Sequence, residues 1–158
     1  MNLFVRLLYV LLSSFLRPRL PVGPATSELS LLTFPNDLDL NLHVNNGRYL
    51  TLCDLNRVDL FIRSGLARIM LQRGWMPIIT EHTMNYRKSL GVFQRFTATL
   101  HLSHWDDRHF YMTHRFSIKD RVVAEGTSKG VLKGKHGVVA PAEVIAALLE
   151  AQAGAPAK

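Results

Sequence analysis

Between residues 36 and 50 the chain reads Asn-Asp-Leu-Asp-Leu-Asn-Leu-His-Val-Asn-Asn-Gly-Arg-Tyr-Leu. Carboxylates at Asp37 and Asp39, an imidazole at His43 and amides at Asn41, Asn45 and Asn46 therefore share one short loop, and an amphipathic run begins directly after it. If a helix starts at Asn45 to Gly47, its first backbone N–H groups have no intrahelical acceptor, and the positive end of the helix dipole points into the loop. An oxyanion would be stabilised there. A carboxylate a few residues upstream could reach the same point as base or nucleophile, and the two together are the minimum for acyl transfer from an activated ester. Asp39 beside Asn46 fits that description. The competing reading is capping, because Asp and Asn ahead of a helix commonly satisfy its free N–H groups and do nothing else.

The elements that must position this loop are legible from periodicity. Residues 28–34 read as a short strand. From Gly47 to about Arg63 the apolar positions Leu50, Cys53, Leu55, Val58, Phe61 and Ile62 recur at helical spacing, with Gly65 to end the helix. A second helix, Leu66–Gln72, stops at Gly74. The period then changes to two, giving strands over 76–87, 92–102, 110–118 and 122–131 and a further segment through Val138 and Val139. Pro141 opens a final helix to Ala151. A strand, a long helix and then strands joined by hairpins is the α+β class, with an antiparallel meander whose apolar face wraps the long helix.

At 158 residues, 47% hydrophobic and 20% charged, the composition is that of one globular domain. The lone Cys53 rules out an intrachain disulfide and a zinc ribbon, and fits a reducing, cytoplasmic compartment. A net charge of +7 favours anionic partners. Residues 1–24 stand apart as an apolar segment with a linker containing Pro18, Pro21 and Pro24, ahead of a main domain at 25–158. The apolar run Leu3 to Leu16 is shorter than the roughly 20 residues of a spanning helix, and Arg17 and Arg19 follow where a signal cleavage site would stand. Two readings remain open: a helix lying on a membrane with Arg6, Arg17 and Arg19 toward anionic headgroups, or a helix docked on the protein or a partner subunit.

Asp-x-Asp-x-x-x-His-Val-Asn-Asn-x-x-Tyr-Leu, from Asp37 to Leu50, resembles the signature of the hot-dog fold acyl-CoA thioesterases related to 4-hydroxybenzoyl-CoA thioesterase. The similarity continues through Asp54 and Arg57, through 86–90 and through 122–126, and covers about residues 28–140. With 105–108 (Trp-Asp-Asp-Arg), the motif is most similar to the branch called thioesterase superfamily member six. The resemblance implies an antiparallel sheet wrapped around a long central helix. It also implies hydrolysis of an acyl-CoA thioester without a cofactor, and assembly as a homodimer or homotetramer with the site at the subunit boundary. Carried over residue by residue, it makes Asp39 the nucleophile or general base and the N–H of Asn46 the holder of the carbonyl oxygen. His43 and Asn45 then orient water or thioester, and Asp54 orients a water from the opposite subunit. Asp37 is expected to be structural. Asp54 paired with Arg57 as an ordinary helix carboxylate is an equal reading.

Leu42 stands where many relatives have Gly, at a position where positive φ is wanted. A non-catalytic acyl-CoA or lipid-binding module, with its turn distorted by Leu42, is therefore the main alternative, and a hydratase using His43 is another. Arg87, Lys88, Lys129 and Lys133 are candidates for the phosphates of coenzyme A, against the reading of a solvated basic edge. An acyl tunnel along the helix would be lined by Leu50, Cys53, Ile78 and Phe96. His101 and His104 with Asp106 lack the neighbours of a metal site. The aromatic residues do not interleave with Lys and Arg, which argues against nucleic acid.

Overall fold

A computed structural model describes residues 3–154. Alternating sequence becomes sheet and helical spacing becomes helix in the order α1 (Leu3–Leu16), β1 (Ala25–Leu32), α2 (Asn46–Ser64), α3 (Leu66–Arg73), β2 (Met76–Tyr86), β3 (Arg95–Trp105), β4 (Phe110–Ile118), β5 (Arg121–Gly134), β6 (Gly137–Val139) and α4 (Pro141–Ala153). The strands form one antiparallel sheet in the order β1-β3-β4-β5-β2, with β6 beside β5. One face holds the core: Leu29 and Leu31 of β1, Phe96 and Ala98 of β3, Phe116 of β4 and Val123 of β5 close on Leu52, Cys53 and Leu55 of α2. Each such leucine contributes roughly 1.5–3 kcal/mol by leaving water. Helix α2 ends at Gly65, whose φ of 84° lets the chain turn in the left-handed conformation a side chain would resist.

Two expectations are corrected. The strands after α2 are not a simple meander, because β2 pairs with β5 at the far edge while only β3, β4, β5 and β6 follow one another as neighbours. Residues 87–94 make the crossing, held where the N–H groups of Arg87 and Lys88 both donate to the carbonyl of Val123. The third strand starts at Arg95 and not at Val92, because Phe93 takes a φ of 51° and breaks the extended run. At that turn the N–H of Thr33 donates to the carbonyl of Gln94 at 3.0 Å.

Helix α1 docks on the domain through Leu3, Leu7 and Val10 on the core and through polar contacts at both of its ends. Arg6, buried, holds both carboxylate oxygens of Asp37 and donates to the carbonyl of Leu32 at 2.7 Å. Arg6 is thus turned inward and not toward headgroups. At the other end Ser14 donates to Asp59 at 2.8 Å and Arg17 reaches the same carboxylate at 3.1 Å. Asp59 is fully buried in α2 and also accepts from Ser27 and Arg63, so four donors satisfy it. The proline segment is fastened as well, since the N–H of Leu20 donates to the carbonyl of Arg63 and the Arg63 Nε to that of Pro18. Among the described residues no helix is long and apolar enough to cross a membrane.

Candidate active site

The loop before α2 is a miniature hairpin. The N–H of Asn45 donates to the carbonyl of Asp37 at 2.9 Å, that of Asp39 to His43 at 2.8 Å and that of Leu42 to Asp39 at 3.0 Å, while Leu38 and Val44 bridge between them. Leu38 and Val44 pack on the core, so alternation sends Asp39 and His43 to the opposite side, facing each other across the two arms. The turn is a three-residue loop closed by a left-handed residue. Leu42 fills that position with a φ of 59°, so the shape glycine would favour is kept despite its side chain. The hairpin is fixed to the crossing segment where the N–H of Val44 donates to the carbonyl of Leu90.

The two carboxylates of this hairpin have different surroundings. Asp37 is buried beneath Arg6 and Arg48, the latter at 3.2 Å, and accepts the N–H of Phe34 at 2.8 Å. Burial alone would raise its pKa. The hydrogen bond from Arg6, the N–H of Phe34 and the charges of Arg6 and Arg48 override that and hold the carboxyl below its ordinary range. Asp39 is half-buried and pairs with no cation among the described residues. Its Oδ1 accepts the N–H of Asn41 at 2.8 Å, and Oδ2 has no partner among the described residues.

Asn45 caps α2, its Oδ1 accepting the N–H of Gly47 at 2.9 Å. Capping and catalysis are therefore divided between neighbours: the cap leaves the N–H of Asn46 without an acceptor among the described residues, at the positive end of the helix. Tyr86 of β2 donates to the carbonyl of Asn46 at 3.0 Å and stacks edge-on against Tyr49 at 5.1 Å, which fixes the helix start to the sheet. Burial pushes the thiol of Cys53 up to about 12, so this side chain is no nucleophile.

The structure thus brings together Asp39, His43, Asn45 and Asn46. It does not bring Asp54 to them: eight residues along the helix is about 12 Å, and Asp54 is 64% exposed and paired with Arg57. Nor does it gather the four cations. Arg87 and Lys88 lie at the end of β2 nearest Asn46, with Arg87 paired to Glu125, whereas Lys133 stands opposite Met76 at the other end. Lys129 lies between, over the ring of Tyr111 at 5.5 Å. Lys88 instead shares a surface depression with Lys119 and Arg121. The expected tunnel is not assembled either, since Cys53 and Phe96 are sealed in the core and Leu50 is exposed. Ile78 lines a separate apolar cleft with Leu60, Phe61, Ile79 and Met112, and Arg57 is its one charged residue. His101 bonds Thr26 and His104 stacks on Tyr111, and among the described residues no group of three His, Cys, Asp or Glu could hold a metal.

A second polar centre lies under the middle of α2. Arg57 reaches His82 and Ser128, both at 3.3 Å; Ser128 bonds His114 at 2.7 Å; and the two imidazoles stack at 5.2 Å. Burial and the charge of Arg57 lower both histidines, His114 to about 3. The signal in the sequence was an imidazole in the inward-facing set of each of two strands.

A long helix cradled by a curled antiparallel sheet, with a polar turn at the helix start, defines the hot-dog fold. Residues 34–151 match the thioesterase-like superfamily, and the chain belongs to it. Protein THEM6 of Xenopus laevis is 34% identical over 122 residues, 77% of this chain and 59% of that protein, so the chain spans little more than half the length of this relative. Among solved structures, the probable thioesterase YbaW of Escherichia coli superposes with a TM-score of 0.72 at 21% identity, over 78% of this chain and 96% of that one. The protein SAV2348 of Staphylococcus aureus, determined in complex with CoA, superposes with a TM-score of 0.68 at 13% identity, over 80% and 82%. At these identities the likeness is one of fold.

Proposed function

We propose that the chain hydrolyses an acyl-CoA thioester to free acid and coenzyme A. The observation that carries this reading is the juxtaposition of an Asp39 oxygen on the hairpin with the N–H of Asn46 at the start of α2, both without a partner among the described residues. The thioester carbonyl oxygen accepts that N–H, which stabilises the charge that develops as the carbon becomes tetrahedral. Asp39 either attacks that carbon, forming an acyl anhydride that water opens, or takes a proton from the attacking water. Thiolate leaves in both cases, and neither needs a metal or organic cofactor. His43, across the hairpin from Asp39, and Asn45 orient the water or the thioester.

Membership in the thioesterase-like superfamily and a structural neighbour bound to CoA support a CoA thioester as substrate. Lys88 with its neighbours Lys119 and Arg121 is the group best placed to meet phosphate near Asn46, and the cleft at Ile78 offers an acyl chain an apolar lining. The free edge of β2, with Met76, Ile78 and Tyr86 exposed, supports a homodimer in which Asp54 of one chain serves the other.

The test is thiol release from short, long and aromatic acyl-CoAs by the wild type and Asp39→Asn. A fall in kcat of roughly 100-fold or more with unchanged melting supports Asp39 in the chemistry. Binding of acyl-CoA without turnover on any of them overturns the hydrolase reading.

A further inference from the structure

Helix α1 carries apolar residues on both of its faces. The face it turns to the domain carries Leu3, Leu7 and Val10 against the core, together with Arg6 and Ser14, both buried and committed to carboxylates. The face it turns to solvent carries Phe4, Val5, Leu8, Leu12, Phe15 and Leu16, at 49–89% exposure, with Phe4 and Phe15 each about three-quarters exposed. Phe4, Leu8, Leu12 and Phe15 recur at three- and four-residue spacing and form a stripe along the whole helix. No charged residue interrupts it. Soluble monomers rarely leave contiguous apolar patches of more than a few hundred Å² in water, so this face has an occupant.

We propose that the occupant is the surface of a lipid bilayer with anionic headgroups. Charge favours lipid over a second copy of the chain. The first acidic residue in the sequence is Glu28, whereas Arg17 and Arg19 follow the helix directly and Arg19 is exposed. Arg17 is already paired with Asp59, but another α1 would offer the exposed Arg19 no counter-charge, and lipid phosphates would. A second element joins the helix at its first turns. Arg6 lies over the ring of Phe34 at 5.4 Å, and Phe34 meets Phe93 edge-on at 6.2 Å. Phe93 is 62% exposed on a left-handed backbone, with Val92 beside it also exposed. Beyond its edge contact with Phe34, the exposed surface of Phe93 is available to the acyl boundary. The two buried carboxylates, Asp37 and Asp59, fix the helix at both ends, so its apolar face is presented without any unfolding of the domain.

The test is flotation of the full chain with vesicles of mixed phosphatidylcholine and phosphatidylglycerol, comparing wild type with Leu8→Glu/Leu12→Glu. The chain should float with the vesicles, and the double variant should bind about tenfold more weakly or less while melting as the wild type does. As a second measurement, Leu12→Cys carrying an environment-sensitive dye should shift to the blue on vesicle addition, the native Cys53 being sealed in the core. Failure of the wild type to float overturns the proposal. So does flotation that the double variant retains in full, or a self-associated wild type that the double variant converts to monomer without any vesicle binding. None of these readouts depends on Asp39, so the proposed hydrolysis stands or falls separately.

Discussion

Two of the polar centres along helix α2, at its start and at Arg57, are built on opposite rules. At its start, the hairpin holds Asp39 with one oxygen unpaired and the N–H of Asn46 without an acceptor among the described residues. At its middle, Arg57, His82, Ser128 and His114 bond one another, and two buried nitrogens, the Nε of Arg57 and the Nε2 of His82, are left without a partner among the described residues. A polar group whose partners are all within the protein stabilises one arrangement of the chain. A polar group left open at a helix terminus has capacity for a ligand. The difference separates Asp39 from Asp37 as well, two residues apart on one arm of the hairpin.

The strongest way to break this contrast is to open a closed partner. Asp37→Asn leaves Arg6 buried with no counter-charge, and removal of one member of a buried pair costs about 3–5 kcal/mol. Chemical denaturation should show a loss of that size. Asp39→Asn, which removes no ion pair, should shift the midpoint little. Equal losses from the two substitutions would erase the distinction between the carboxylates.

Acid should then distinguish the two centres. His82 and His114 have pKa values lowered below those of the unfolded chain, so the unfolded state binds more protons as pH falls, and stability drops. For His114 the loss begins near pH 6.5 and runs to about 3, and stability is fully present above that window. Asp37, also lowered, loses its contribution only below the ordinary carboxylate pKa, so its window lies at the acid end. His114→Gln should flatten the melting temperature between pH 6.5 and 4 and leave the more acidic fall in place. An unchanged slope in that variant would remove the buried imidazole from the account.

The two centres were also unequally legible in the sequence. The hairpin is contiguous, so its residues and the helix start could be read directly, and the structure sets Asp39, His43, Asn45 and Asn46 together. What holds the hairpin could not be read, because Arg6 meets Asp37 across 31 positions. The second centre joins residues 57, 82, 114 and 128, and depends on β2 crossing the sheet to reach β5. His82 and His114 were each visible on the inward face of a strand, but nothing local says that those faces meet under Arg57. The four phosphate candidates failed to gather for the same reason: alternation places a lysine on a face, and strand order decides how far it lies from a second one. The shape of the turn at Leu42 was unreadable because the sequence departs there from the residue its backbone prefers.

That departure yields the smallest expected effect. Leu42 is 73% exposed and makes a left-handed turn that costs a side-chain-bearing residue roughly 1 kcal/mol. Glycine adopts the conformation freely in the folded chain and also gains freedom in the unfolded one, which offsets part of the relief. Leu42→Gly should therefore raise the melting temperature by about 1–3 °C in a domain of this size. The hairpin bonds that hold Asp39 opposite His43 are backbone bonds and survive the change, so thiol release should stay within about threefold of wild type. A large gain in turnover would show that the leucine strains the open centre, and the contrast with the closed one would then rest on Leu42 as much as on Asp39.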